Sequence, residues 1–157
     1  MIDEIDRQII TLLQEDARLS NAAIAEQVGL TVSSVHERVK KLERKGIIKG
    51  YTAVVAPELL GKPITAFIRL TVGSMTEDYI ESKNRMMEVC LAESDVLECH
   101  GVAGEDCYML KVRVASPQEL EKLLERIRSK ASIWRSTTSI VMSTFKEGSL
   151  VTPATEE

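Results

Sequence analysis

Two segments of helical period are separated by only Gly29-Leu30, and this break restricts the fold more than any other feature of the 157-residue chain. Two residues allow only a sharp turn, and Gly readily takes the left-handed conformation that stops a helix. Before the break, Ser20 is placed to cap a helix carrying Ala23, Ile24, Ala25 and Val28. After it, a helix from near Thr31 to Lys45 sets Val32, Val35, Val39 and Leu42 on one face, and Gly46 closes it. Ala25, four residues before Gly29, is small enough to let the two helices approach, while Leu30 and Val35 fill the wedge between them. An earlier segment, DEIDRQIITLLQED, aligns Ile5, Ile9, Leu12 and Leu13 on one stripe. Asp3 is its N-cap, and Glu4 and Asp6 suit the positive end of the helix dipole. The spacing describes a three-helix unit containing a helix-turn-helix, whose second helix enters the DNA major groove with its N-terminal residues at base edges.

Charge follows the same division. The whole chain has net charge −4, which by itself argues against a polyanion partner. Residues 1–50 nevertheless hold eight basic and eight acidic side chains, with the acids mostly before residue 27 and the bases mostly after residue 37. Between His36 and Lys49 there are six basic residues (Arg38, Lys40, Lys41, Arg44, Lys45, Lys49) against Glu37 and Glu43. A neutral segment polarised in this way offers one basic face to nucleic acid. A Lys- and Arg-rich helix face on its own is as often merely solvated, so the weight rests on its combination with the Ala25–Gly29–Val35 spacing. The candidate DNA-contacting residues are Ser20, Asn21, Thr31, Ser33, Ser34, His36, Glu37, Arg38, Lys40, Lys41, Arg44 and Lys45. Ser33, Ser34, His36 and Glu37 lie near the helix start, where bases are read; Arg38, Lys40, Lys41 and Lys45 lie further along, where phosphates are met.

Beyond Ile47 the period changes. Residues 49–55 (KGYTAVV) are expected as a hinge strand, followed by a loop from Pro57 to Pro63. ITAFIRLTV alternates Ala66, Ile68, Leu70 and Val72 with Thr65, Phe67, Arg69 and Thr71, the period of a strand. A helix is expected from Thr76 to Leu91 with Tyr79, Lys83, Met86 and Cys90 on one side. Strands near 95–102 and 107–115 flank a tight turn at 103–106. Ser116-Pro117-Gln118-Glu119 reads as a capping box opening a helix that buries Leu120, Leu123, Leu124 and Ile127. A last strand runs from Trp134 to Phe145, and a polar tail after it is expected to fray. The predicted fold is α+β: an N-terminal three-helix helix-turn-helix domain (1–50), a hinge strand and linker (51–63), a C-terminal ferredoxin-like βαββαβ domain (64–147) and a tail (148–157). Two helices on one sheet face leave the other bare, with Phe67 among its residues, and an exposed apolar sheet face implies a homo-oligomer.

Taken in order, the stretches IDRQIITLLQEDARLSNAAIAEQVGL, SSVHERVKKLERKGIIKGYTAVV, LECHGVAGEDCYMLKVRV and STTSIVMSTFK resemble the Lrp/AsnC (leucine-responsive, feast/famine) family of transcriptional regulators, over residues 2 to about 148. The resemblance implies a sequence-specific regulator of transcription that binds double-stranded DNA. It also implies homodimers that join into tetramers, octamers or larger rings. A small amino-acid effector would sit between subunits near the turn Gly104, Glu105, Asp106, Cys107 and Tyr108, with Ser136 and Thr138 matching the family's hydroxyl-bearing positions. One departure bears on that site: family members often carry an acidic residue where this chain has Cys107. A carboxylate there accepts backbone or ammonium hydrogen bonds that a neutral thiol accepts poorly. Asp106 would point to the opposite face if the strand has begun, so the effector stands open as non-standard, weakly held or absent.

No cofactor, metal or enzymatic role is expected. Cys99, His100 and Cys107 invite a metal or redox reading, but consecutive strand residues face opposite sides and cannot easily share an ion. His36 has no partner with triad logic. Two other readings stand beside this one: an amino-acid sensor without DNA binding, and a tetrapyrrole decarboxylase related to the family, which would use C-terminal histidines where this chain has only His100. The three cysteines, the short apolar runs and the acidic start without a basic leader suggest free thiols, no membrane span and a cytoplasmic location.

Overall fold

Asp3 stops the extended chain and starts α1 (Glu4–Glu15): its carboxylate accepts from the Asp6 N–H at 2.8 Å, and the Asp6 carboxylate accepts from the Asp3 N–H at 3.3 Å. This reciprocal box satisfies two donors that the first turn otherwise leaves orphaned. The computed structural model describes residues 2–72, 79–105, 107–148 and 150–151, apart from the side chains of Tyr79 and Ser82. The chain divides into two units, one comprising residues up to Val54 together with those from Lys146 on, the other Val55 to Phe145.

In the first unit, Ser20 caps α2 (Asn21–Val28) and Thr31 caps α3 (Val32–Arg44), each accepting a backbone N–H three residues on. Gly29, at φ 68°, ψ 33°, ends α2 and donates its N–H to the Ala25 carbonyl. Ile9, Ile24, Ala25, Val35, Val39 and Leu42 form the buried core, with Ile5, Leu12, Leu13 and Leu30 packed against it. Val32, expected on the inward face, is 51% exposed: as the first residue of α3 it precedes the turn that meets α2. The tail also differs from expectation. The Gln14 side-chain amide donates to the Val151 carbonyl (3.0 Å) and accepts from its N–H (2.8 Å), as a neighbouring strand would, so this part of the tail is held.

The second unit runs β1 (Ile64–Val72), α4 (Tyr79–Ala92), β2 (Val96–Gly101), β3 (Tyr108–Val114), α5 (Pro117–Lys130) and β4 (Ile133–Ile140). The strands form one antiparallel sheet in the order β2-β3-β1-β4, the ferredoxin-like arrangement. Ala66, Ile68 and Leu70 of β1 and Leu110, Val112 and Val114 of β3 face Met86, Val89 and Cys90 of α4 and Leu120, Leu123 and Ile127 of α5. Burial of each large aliphatic side chain contributes about 2 kcal/mol. On α4, Lys83 is exposed and Val89 takes an inward position instead. The expected start of that helix at Thr76 lies outside the described residues.

Three further expectations are corrected. The hinge strand expected over residues 49–55 carries no strand pairing among the described residues, since a strand forms only where a partner edge supplies its hydrogen bonds. The last strand ends at Ile140 rather than Phe145, although the Val141 N–H still reaches the Thr65 carbonyl at 2.9 Å. The bare sheet face is not apolar. Cross-strand register puts Phe67 and Met109 there, among Thr65, Arg69, Glu98, His100, Lys111, Arg113, Arg135, Thr137 and Ser139. The strongly exposed large side chains of this unit include Leu59 before β1, Leu91 of α4, and Trp134, Met142 and Phe145 in and after β4.

Candidate nucleic-acid interface and effector turn

The start of α3 is built from hydroxyls. The Thr31 Oγ1 accepts the Ser34 N–H at 3.2 Å and lies 2.8 Å from the Ser34 Oγ and 3.1 Å from the Ser33 Oγ. Asn21, the first residue of α2, donates its side-chain amide to the His36 Nδ1 at 3.3 Å, linking the two helices on their outer side. Ser20, Thr31, Ser33, Ser34, His36 and Glu37 are all exposed, while Val35 and Val39 of α3 are buried. One side of α3 therefore builds the core, and the other presents short polar side chains at its beginning.

Further along α3 the expected phosphate contacts are rearranged. Arg38 turns back to α1, its Nη1 2.6 Å from the Asp3 carboxylate and 2.7 Å from that of Asp6, and Lys41 lies 3.7 Å from Asp6. The cause is Asp6, whose side chain is fully buried: a buried carboxylate needs a cation beside it. The Arg38 hydrogen bond, with the Asp6 N–H second, holds the Asp3 carboxyl below its ordinary range, and the two carboxylates raise the Arg38 guanidinium above its own. Lys40 pairs with Glu43 at 3.2 Å. The Tyr51 hydroxyl also donates to Glu43, at 3.1 Å, and these two bonds lower its carboxyl, the Lys40 bond foremost. Among the described residues, Arg44 and Lys45 at the end of α3 are exposed and hold no ion pair. A shallow groove of about 390 Å³ runs along α3 beside the cap of α1, lined by Asp3, Ser34, Glu37, Arg38, Lys41 and Arg44. Sequence reasoning missed Asp3 and Asp6 as part of this surface. Acidic residues at a helix start explained themselves as caps, and nothing local paired them with a base more than thirty residues away.

The second candidate site spans the turn from β2 to β3. Here the Val102 N–H donates to the Cys107 carbonyl (3.0 Å), and the Cys107 N–H to the Leu70 carbonyl (2.8 Å). Gly104, at φ 142°, occupies backbone space that other residues rarely enter. The Glu105 carboxylate is exposed and lies 3.7 Å from the Arg135 guanidinium, and the Thr71 hydroxyl donates to the Glu105 carbonyl at 3.5 Å. Arg135 and Thr71, absent from the sequence-predicted set, thus both contact Glu105; the β1–β4 register that places them there is not written locally.

The predicted set is divided by the sheet. Glu105 pairs with Arg135, which lies opposite Thr71 on the bare face, whereas Ser136 and Thr138 oppose Leu70 and Ile68 on the helix face. The Ser136 hydroxyl accepts from Arg128 at 2.6 Å. Tyr108 is buried, and Cys107 packs against the core with its Sγ 3.9 Å from the Val72 carbonyl. Asp106 lies outside the described residues. Among the described residues, no cluster of His, Cys, Asp and Glu could hold a metal ion. His100 faces away from Cys99 and pairs with Glu98 at 3.1 Å. No described helix is long and apolar enough to cross a membrane.

Comparison with known proteins adds an independent observation. Residues 2–49 match the winged helix-turn-helix DNA-binding family, and residues 65–151 match the Lrp/AsnC ligand binding domain. The chain is 37% identical to the HTH-type transcriptional regulator LrpA of Mycobacterium tuberculosis, over 92% of each chain. It is 35% identical to the leucine-responsive regulatory protein of Escherichia coli, over 93% of this chain and 88% of that one. Among solved structures, it is similar to a feast or famine regulatory protein from M. tuberculosis complexed with L-methionine (TM-score 0.87, 35% identity, 98% of this chain and 100% of that one). It is also similar to a transcriptional regulator from Neisseria meningitidis in complex with L-methionine (TM-score 0.87, 26% identity, 96% of each).

Proposed function

Because this chain belongs to the Lrp/AsnC family of transcriptional regulators, we propose that it binds double-stranded DNA sequence-specifically through α3 and adjusts that binding to a small amino acid. The observation that carries this reading is the open start of α3, where Ser33, Ser34, His36 and Glu37 are exposed above a buried Val35 and Val39. Those four side chains read base edges. Lys40, Arg44 and Lys45 meet phosphates, and Ser20 and Asn21 bring the positive end of α2 to the backbone. Arg38 and Lys41, engaged with Asp3 and Asp6, set the angle of α3 on α1 rather than supplying most of the phosphate charge.

The effector reading rests on Glu105 and Arg135. An amino acid carries an ammonium and a carboxylate, and this ion pair presents one complement to each. The L-methionine complexes of two relatives give the ligand class. Cys107 replaces a carboxylate common in the family, so Glu105 takes over the acidic role. The protein acts as a cytoplasmic homodimer or ring of dimers, a binding protein rather than an enzyme. Paired heads then engage half-sites separated by whole helical turns.

Fluorescence anisotropy on the protein's own promoter region and on random DNA tests the DNA reading. Replacing Arg44 and Lys45 together with Ala should weaken both equally and flatten the log–log salt dependence by about 0.9 per lost phosphate contact. Ser34→Ala should instead change the ratio between the two DNAs. Equal losses on both DNAs from all these changes would contradict the assignment of roles.

A further inference from the structure

Two of the three cysteines meet in space although the sequence pairs neither with the other. Cys90 lies near the end of α4 and is buried; Cys99 lies in the edge strand β2 and is exposed. Register places Cys99 opposite Leu110, on the sheet face that α4 covers, and the Cys90 thiol donates to the Cys99 sulfur at 3.0 Å. Cys107 sits elsewhere, against the Val72 carbonyl.

We propose that Cys90 and Cys99 form a reversible disulfide on exposure to peroxide, with Cys99 as the attacking thiolate and Cys90 as the resolving thiol. The geometry separates the roles. Cys99 is open to a small oxidant, whereas Cys90 is shielded and already aimed at the Cys99 sulfur. A disulfide has an S–S length of about 2.05 Å, so closure needs roughly 1 Å of sulfur movement, within reach of side-chain rotation. The hydrogen bond from Cys90 holds the Cys99 thiol down to about 7 against the opposing effect of its partial burial, with His100 adding to the lowering, while Cys90 is itself pushed up. A nucleophilic thiolate beside a protonated partner is the arrangement that redox-sensing cysteines use.

In the first step the Cys99 thiolate attacks one peroxide oxygen: an S–O bond forms, the O–O bond breaks, and hydroxide leaves to take a proton as water. The Cys90 sulfur then attacks the Cys99 sulfenic acid: the S–S bond forms, the S–O bond breaks, and the hydroxyl leaves as water with the Cys90 proton. Two thiols lose two electrons and two protons, and hydrogen peroxide becomes two waters. The product joins α4 to the strand that runs directly into the turn bearing Glu105, so oxidation state and effector site share one element.

The test uses the full-length protein, reduced, freed of reductant and treated with hydrogen peroxide. Remaining thiols are then blocked with N-ethylmaleimide. Cleavage after Glu93, Glu98 and Glu105 separates the three cysteines for mass spectrometry. The expected result is a Cys90–Cys99 linked peptide pair, a maleimide on Cys107, and recovery of both thiols with dithiothreitol. Cys90→Ser should leave Cys99 as a sulfenic acid that dimedone captures. Cys99→Ser, at an exposed position, should leave Cys90 unoxidised. Maleimide on both Cys90 and Cys99 after peroxide, or Cys99 joined to Cys107 or to another chain, would overturn the proposal. So would absence of the dimedone adduct in Cys90→Ser.

Discussion

Arg38 is the residue on which the N-terminal unit turns. It lies on the helix assigned to DNA, yet its guanidinium holds two carboxylates of α1, one of them completely buried. Removing it leaves Asp6 with the Asp3 N–H at 3.3 Å and Lys41 at 3.7 Å. Arg38→Ala should therefore destabilise the protein by about 2 kcal/mol, below the usual cost of breaking a buried pair because the arginine side chain is itself partly exposed. Chemical denaturation measures this directly. The same contact has a pH signature. Asp3 is depressed in the folded state, so its contribution is complete above the ordinary value of 3.8 and is lost as pH falls through the lower native value. A carboxyl NMR titration should find Asp3 below 3.8 in the wild type and moved back toward it in Arg38→Ala. An unmoved titration would show that Arg38 does not hold Asp3 in solution.

At the scale of elements, the turn between α2 and α3 depends on one backbone conformation. A Cβ added at Gly29 would meet nothing within 4 Å, so any penalty for replacing it comes from the positive φ alone. Gly29→Ala should cost about 1–2 kcal/mol by thermal or urea unfolding, with no new contact to offset it. A neutral result would mean that the turn relaxes out of the left-handed region. In the other unit, Leu123 of α5 is fully buried among sheet residues, and Leu123→Ala should cost about 2–5 kcal/mol, set by how far the site collapses. The helices were legible because their caps are local: Asp3, Ser20, Thr31 and Ser116 each accept a backbone N–H three residues on. The Glu119 side chain pairs with Lys122, so only half of the box read in the sequence is described. The hinge segment KGYTAVV has the local pattern of a strand, but pairing is a property of two segments and a local pattern describes only one.

For the whole molecule, net charge −4 coexists with a basic helix, so association with DNA should be steeply salt-dependent while the protein stays acidic overall. The exposed Trp134, Met142 and Phe145 are apolar surface that a second copy would cover. Light scattering should find an assembly larger than one chain, and Trp134→Glu should shrink it without altering the far-UV spectrum; a wild-type monomer at every concentration would refute the oligomeric reading. The sequence by itself determined the order of the helices and of the four sheet strands, the α2–α3 turn and most inward positions, Val32 and Lys83 excepted, since period, caps and glycines act within a few residues. Tertiary structure alone decided that Arg38 belongs to Asp3 and Asp6, that Glu105 meets Arg135 while Ser136 and Thr138 face the other way, and that Cys90 meets Cys99. Each of these rests on strand register or helix packing, which is set by the burial of the whole core rather than by any short stretch of chain.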